Sequence, residues 1–270
     1  MTLRVVALHR YPVKSMGGQA LTSARVEPRG IAGDRRWLMV TPQGRFLTRR
    51  ELPVMALLHA DPVDGGITLS HRDGGAISVA EPDHAQPLAV QVWGDPVMAH
   101  DAGDAAAHWL STRMGRAVRL VHMPDTAHRP VDPAFGHVGD HVSFADGYPL
   151  LVAVVESLDA LNARLPVPMP MARFRPNLVI AGASAFAEDG WHCLCIGDVT
   201  LRVVKPCTRC VVTTQDPDSG AVTDPLEPLK TLKAMGRVMA SVRAEPIFGT
   251  NAIPDGPGTI TVGDAVALLD

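Results

Sequence analysis

The chain has 270 residues, 46% hydrophobic and 20% charged, with a net charge of −3 at pH 7. That length can bury one large core or two modest ones, and the charge gives no bulk reason to bind nucleic acid or an anionic membrane. Four cysteines in two close pairs are too few for a secreted disulfide framework.

The first residues, MTLRVVALHRYPVKS, enter a strand-like run broken by Pro12 and charge, so they do not read as a signal peptide. The longest apolar run, residues 149–155, is too short to span a bilayer, and a reducing, cytoplasmic setting is expected. Glycine (24) and proline (23) punctuate the chain as short strands joined by turns require. The β-branched and apolar runs predict strands at residues 5–8, 37–40, 67–69, 89–93 and 118–121. Further strands are predicted at 177–180, 200–204, 211–214 and 259–262. Helical spacing predicts one helix capped by Asp104 and running to Leu110. A second runs from Glu156 through Leu158 and Leu161 to Leu165, and a third from Leu226 through Leu229 and Leu232 to Met235. Pro124, His128, Pro130, Pro133 and Gly136 mark a boundary stretch near 123–138, and His122, His128 and His137, clustered loosely about it, read as loop histidines. The expectation is a mainly β chain with some α, in two strand-rich lobes, 1–122 and 123–270. A β-barrel in each lobe avoids exposed edges.

Four stretches put polar groups at the ends of apolar strands. They are Tyr11-Pro12-Val13-Lys14-Ser15, Gly33-Asp34-Arg35-Arg36-Trp37, Arg173-Phe174-Arg175-Pro176-Asn177, and KPCTRCVVTTQDPDSG at 205–220. Each alone reads as a solvated turn. Together, three cationic rims and a thiol suggest a pocket for an anionic, phosphorylated ligand, because Arg forks and Lys match phosphate oxygens.

Lys205 precedes Cys207 and Arg209 lies between Cys207 and Cys210, a setting suited to metal ligation or nucleophilic attack. The β-branched run 211–214 reads as a buried strand leaving the thiols, closed by the turn residues 216–220. That differs from a thioredoxin arrangement, in which the cysteine pair opens a helix. Cys193 and Cys195 share one side of a strand and could join the later pair in a four-cysteine zinc site. Their spacing is tighter than a zinc knuckle's, and buried packing cysteines are the expected reading. No GxSxG, P-loop or GxGxxG pattern occurs.

Taken in order, YPVKS, GDRRW, FRPN, the stretch Phe186-Ala187-Glu188-Asp189-Gly190-Trp191, KPCTRCVVTTQDPDSG and the closing PGTITVGD resemble MOSC proteins. The resemblance is to those with a MOSC N-terminal β-barrel domain, the group containing the mitochondrial amidoxime-reducing component. It implies an N-terminal β-barrel-like lobe over 1–122 and a C-terminal MOSC β-barrel with flanking helices over 123–270. It also implies a molybdenum cofactor, a pterin dithiolene with a terminal phosphate, with Cys210 as catalytic residue and ligand to molybdenum. Lys14, Ser15, Arg35, Asp146, Arg175 and Asn177 match positions that hold the pterin and its phosphate. Asn251 stands where relatives can carry an aromatic residue.

The implied activity is reduction of N-hydroxylated compounds such as amidoximes and hydroxylaminopurines. The sequence has no cysteine-rich ferredoxin module, so a separate flavin or iron–sulfur protein is expected to supply electrons. No nucleic acid or membrane partner is expected. The alternative is a sulfur-transfer or molybdenum-cofactor carrier protein, since MOSC domains also occur in cofactor sulfurases. A zinc-stabilised binding module is a third reading.

Overall fold

The computed structural model describes residues 2–82, 87–240 and 244–269. It is mainly β, with three α-helices among those residues. The first half runs β1 (Arg4–Arg10), β2 (Gln19–Leu21), β3 (Ser23–Glu27), β4 (Gly30–Ile31), β5 (Trp37–Val40), β6 (Leu58–Val63), β7 (Gly66–His71) and β8 (Ala76–Ala80). It continues through β9 (Pro87–Val92), β10 (Asp95–Asp101), α1 (Asp104–Met114) and β11 (Arg119–His122). The second half holds β12 (Leu150–Val154), α2 (Val155–Asn162), β13 (Leu178–Ala181), β14 (Cys193–Ile196) and β15 (Val199–Thr208). It closes with α3 (Leu229–Ala234), β16 (Ile247–Pro254), β17 (Gly258–Thr261) and β18 (Val266–Leu269).

An eight-stranded sheet, ordered β18-β14-β15-β16-β12-β13-β1-β2, dominates the second half and recruits the first two strands of the chain. Its central strand, β12, is buried at all five positions, as expected for a strand paired on both sides and covered on both faces. The edge-ward strands alternate instead: β14 buries Leu194 and Ile196 and turns Cys193 and Cys195 outward. Three smaller sheets, β5-β11-β10-β9, β6-β7-β8 and β17-β3-β4, complete the fold. One apolar core lies on the large sheet, around Leu8, Val26, Val152, Ile180 and Leu201. A second lies where α1 covers Met39, Leu58, Leu69 and Leu120 with Leu110.

Several expectations are corrected. Residues 211–214 form a 3-10 turn and not a strand. The Thr213 and Thr214 hydroxyls donate to the carbonyls three residues back, Cys210 at 2.9 Å and Val211 at 2.8 Å, a local bond that competes with strand pairing. Cys193 and Cys195 are half-buried on the outer face of β14, not core residues, because Leu194 and Ile196 claim the inward positions. His122 is a buried strand residue whose ring packs 4.6 Å from that of Trp37. Helix α1 has Gly103 at its cap, and Asp104 instead pairs with Arg119 at 2.9 Å. Leu165 lies beyond α2 and Leu226 precedes α3.

Candidate functional site

All the sequence-derived candidates, Lys14, Ser15, Arg35, Asp146, Arg175, Asn177 and Cys210, line one cavity of about 390 Å³. They come from five separate stretches of chain. The loop after β1 brings Lys14 and Ser15, and it is stitched to β5 by Lys14 N donating to the Trp37 carbonyl at 2.9 Å. Arg35 enters just before β5, with its amide on the Tyr11 carbonyl at 2.8 Å. Arg175 and Asn177 precede β13. Ser15, Arg35 and Arg175 have φ of 69°, 48° and 56°, the left-handed region that ordinary residues avoid. Strain gathered at three residues of one cavity is what a site does when backbone comfort is traded for side-chain aim.

Beneath the cavity, Tyr11 is a buried platform. The Arg35 and Arg175 guanidinium carbons stand 4.4 and 4.2 Å from its ring centroid, and its hydroxyl donates to the Pro176 carbonyl at 3.2 Å. Asp34 ties this together. Its Oδ1 accepts from Tyr11 N at 2.8 Å and its Oδ2 from Arg35 Nη1 at 2.5 Å. Burial pushes the Asp34 carboxyl up, against the pull of Arg35. Arg35 Nη1 also donates to Asn177 Oδ1 at 2.9 Å. The same Asn177 oxygen accepts from Leu151 N, and its Nδ2 donates to the His9 carbonyl at 3.2 Å. Asn177 is 1% exposed, so its amide is spent inside the protein, where it fixes Arg35. Arg175 spends Nη1 on the Met16 carbonyl at 2.7 Å, while its buried Nη2 has no partner. Burial draws this guanidinium down to about 9. A buried donor left unmatched is costly unless a ligand meets it.

In the same cavity, Lys14, 5% exposed, donates to Asp146 Oδ1 at 2.5 Å. Confinement opposes ionisation of Asp146. The Lys14 ammonium, with Arg50 and Arg35 beyond it, outweighs that and holds the carboxyl below the usual carboxylate range. Asp146 nevertheless keeps 71% of its side chain open to the cleft. Arg129 holds this turn from below by donating to the carbonyls of Ser143, Ala145 and Asp146.

The thiols stand at the end of β15. That strand slips register against β16 between Val203 and Lys205 and again between Pro206 and Thr208. Bulges re-aim side chains, and Pro206 has no N–H to keep the ladder regular. Lys205 and Cys207 both line the cavity. Cys210 sits at the mouth of the 3-10 turn, its carbonyl accepting from Thr213 N at 3.0 Å. Cys193 pairs with Arg202 across the β14–β15 ladder, five residues back along β15 from Cys207. Among the described residues, no three His, Cys, Asp or Glu side chains gather as a metal site. The four cysteines do not assemble.

Asn251 lines the cavity from β16, with Nδ2 on the Lys205 carbonyl at 3.3 Å. Sequence reasoning missed Arg49, which is fully buried and donates to the carbonyls of Asp216, at 2.6 Å, and Pro217. It also missed Arg50 and Trp93, which line the cleft. The run Thr48-Arg49-Arg50-Glu51 looks like a solvated turn, and only its long-range partners reveal otherwise.

Residues 2–117 match the MOSC N-terminal beta barrel domain, and residues 139–267 match the MOSC domain. The mouse protein "Mitochondrial amidoxime-reducing component 1" is 36% identical, over 98% of this chain and 82% of its own length. The chain belongs to the MOSC family. Within it, this MOSC protein is 34% identical to human mitochondrial amidoxime-reducing component 1, with 98% of this chain and 82% of the relative covered. It is 31% identical to human mitochondrial amidoxime reducing component 2, covering 97% and 82%.

Proposed function

We propose that this MOSC protein is a molybdenum-cofactor-dependent oxidoreductase that reduces N-hydroxylated compounds, amidoximes and hydroxylaminopurines among them. The observation that carries the reading is the convergence of buried, under-satisfied cations with a thiol on one cleft. Lys14 uses one of its donors on Asp146, and Arg175 has a free buried Nη2. Those donors suit the phosphate and polar edge of a pterin. The Cys210 sulfur is the soft donor that molybdenum accepts. The relatives named for amidoxime reduction support the same reading.

When bound, the cofactor supplies two-electron redox chemistry. The chain supplies the rest. Lys14, Ser15 and Arg175 hold anionic groups, Arg35 is aimed by Asp34 and Asn177, and Cys210 ligates the metal. Asp146 keeps Lys14 in place while facing the cleft. In the overall reaction an N–O bond breaks, two electrons and two protons are consumed, and water leaves with the N–H product. A separate flavin or iron–sulfur protein delivers the electrons.

The test is to purify the protein from a cofactor-competent host, measure molybdenum and pterin per chain, and assay benzamidoxime reduction. The expected result is about one molybdenum per chain, with turnover on a reduced viologen or a reconstituted electron-transfer partner and none on NADH alone. A metal-free protein carrying a persulfide would overturn the reading in favour of sulfur transfer.

A further inference from the structure

The cations of the cleft are not equivalent. Lys14 is matched by Asp146 and Arg35 by Asp34. Arg209 is held by Cys207 and the Phe174 carbonyl, and Lys205 lies 4.4 Å from the Phe135 ring centroid. Arg50 and Lys205 share a condition: among the described residues neither charged group has a hydrogen-bond or ion-pair partner, although both line the same cleft as Asp146. Arg50 differs from Lys205 in carrying a planar fork that can grip an oxyanion with two N–H groups. What holds it is an aromatic ring: its Cζ stands 4.6 Å from the Trp93 centroid.

Trp93 is an odd residue for its place. It is the first of two residues joining β9 to β10, and its φ of 57° is one that such hairpin turns ordinarily give to Gly, Asn or Asp. It is 41% exposed, so burial does not explain a large aromatic there. Phe46 supports it edge-on at 4.9 Å. A strained, propped indole thus carries an exposed, cleft-lining cation whose N–H groups are unspent. The cleft as a whole sets Lys14, Arg35, Arg50, Arg175, Lys205 and Arg209 against Asp146 and Glu245. That surplus of positive charge exceeds what one bound phosphate needs.

We propose that Arg50, held on the Trp93 ring, is an oxyanion subsite at the mouth of the cleft, distinct from the Lys14, Ser15 and Arg175 group. It selects N-hydroxylated substrates that carry a phosphate ester or a carboxylate. The selection rests on the reductase reading above; the binding of an oxyanion by Arg50 does not. A guanidinium fork with free N–H groups takes either oxyanion in two parallel hydrogen bonds, and its exposure makes the contact sensitive to salt.

The experiment uses the cofactor-loaded protein with two matched substrate pairs: N6-hydroxyadenosine with its 5′-monophosphate, and benzamidoxime with 4-carboxybenzamidoxime. In at least one pair, wild type should prefer the charged member in kcat/KM, and that pair identifies the oxyanion. Arg50→Gln should lower the charged-to-neutral ratio in that pair about tenfold. Arg50→Lys should restore part of it, and Trp93→Leu should shift it in the same direction as Arg50→Gln. A ratio that Arg50→Gln leaves unmoved in both pairs overturns the proposal. So does loss of pterin from Arg50→Gln, which would reassign Arg50 to the cofactor. Calorimetric titration with adenosine 5′-monophosphate and with adenosine reads the subsite without turnover. Monophosphate binding that needs Arg50, in a protein that reduces nothing, would keep the subsite and sink the reductase reading. If the phosphate pair is the one that discriminates, equal monophosphate binding by wild type and Arg50→Gln would sink the subsite. If the carboxylate pair is, 4-carboxybenzamidine and benzamidine take the place of the monophosphate and adenosine in the same titration.

Discussion

Arg209 is the immediate neighbour of Cys210 in sequence, yet its Nη1 donates to the sulfur of Cys207, at 3.0 Å. Its Nη2 donates to the Phe174 carbonyl at 2.7 Å, which anchors the guanidinium on the loop that carries Arg175. Two thiols three residues apart are thereby made chemically different. Cys207 is engaged by protein. The Cys210 sulfur has no protein hydrogen bond among the described residues, and it lines the cavity.

That difference predicts unequal substitutions. Cys210→Ser exchanges a soft donor for a hard one and should lower N-reduction on the order of 100-fold or more while pterin still docks on the basic wall. Cys207→Ser leaves a hydroxyl that can accept from Arg209, and most activity should survive. Molybdenum content, pterin content and melting temperature of both variants check this. Equal loss from the two would mean a thiol pair acting together, and an active, molybdenum-loaded Cys210→Ser protein would remove Cys210 as ligand.

Asn177 makes a prediction about stability as well as binding. Asn177→Ala strips a partner from Arg35 Nη1, from Leu151 N and from the His9 carbonyl, all at a position that is 1% exposed. Leaving such groups unmatched costs about 2–3 kcal/mol, or a melting temperature lower by roughly 5–10 °C. Cofactor content should fall with it, since Arg35 loses its aim. Scanning calorimetry and pterin analysis read the two effects separately. A variant as stable as wild type would show that the amide's bonds contribute little.

Arg49 predicts the behaviour of the segment after the cysteines. Burial draws its guanidinium down to about 10, where it is still charged at neutral pH. Its bonds to Gln215, Asp216 and Pro217 hold that segment to the first half of the chain. Arg49→Met should cost about 2–4 kcal/mol and open residues 216–220 to limited proteolysis. Gly220→Ala tests the same contact from the other side. The glycine has φ of 73°, and a Cβ there would meet the Pro53 carbonyl oxygen at 2.2 Å. Wild-type resistance to protease in both variants would show that this hook is dispensable.

The strands of the chain were legible where apolar runs were long and unbroken. Trp37–Val40 follows from four consecutive buried residues. Short strands such as Gln19–Leu21 and Gly30–Ile31 were not, because two or three residues give no period to read. Residues 211–214 misled for a physical reason: threonine is β-branched, but its hydroxyl also bonds back to the chain, and here the second property prevails. Lys14, Arg35, Arg175 and Cys210 lie in basic or thiol-bearing stretches beside apolar runs, which suggests a shared pocket, but their individual roles come from the resemblance to MOSC motifs. The long-range partners that set their geometry, Asp34 under Arg35 and Arg129 under Asp146, carry no local signal.

His122 predicts the acid limb of stability. Burial, reinforced by Arg36, draws its imidazole down to about 3, although Glu81 lies 3.4 Å from Nδ1. Arg29 and His100 add to the repulsion and Asp125 opposes it. A histidine with a depressed folded value is neutral in the native protein and protonates on unfolding. Its contribution is therefore complete above about pH 6.5 and is lost as pH falls towards 3. The loss has a limiting slope of about 1.4 kcal/mol per pH unit. His122→Phe keeps a ring against Trp37 and removes the titration. Urea unfolding of both proteins at pH 4, 5, 6 and 7 isolates the difference, because the carboxylates that also titrate there are common to both. The stability of wild type relative to the variant should drop steadily below pH 6.5. Parallel curves from pH 4 to 7 would mean that His122 titrates alike in the folded and unfolded chain, with Glu81 cancelling the effect of burial.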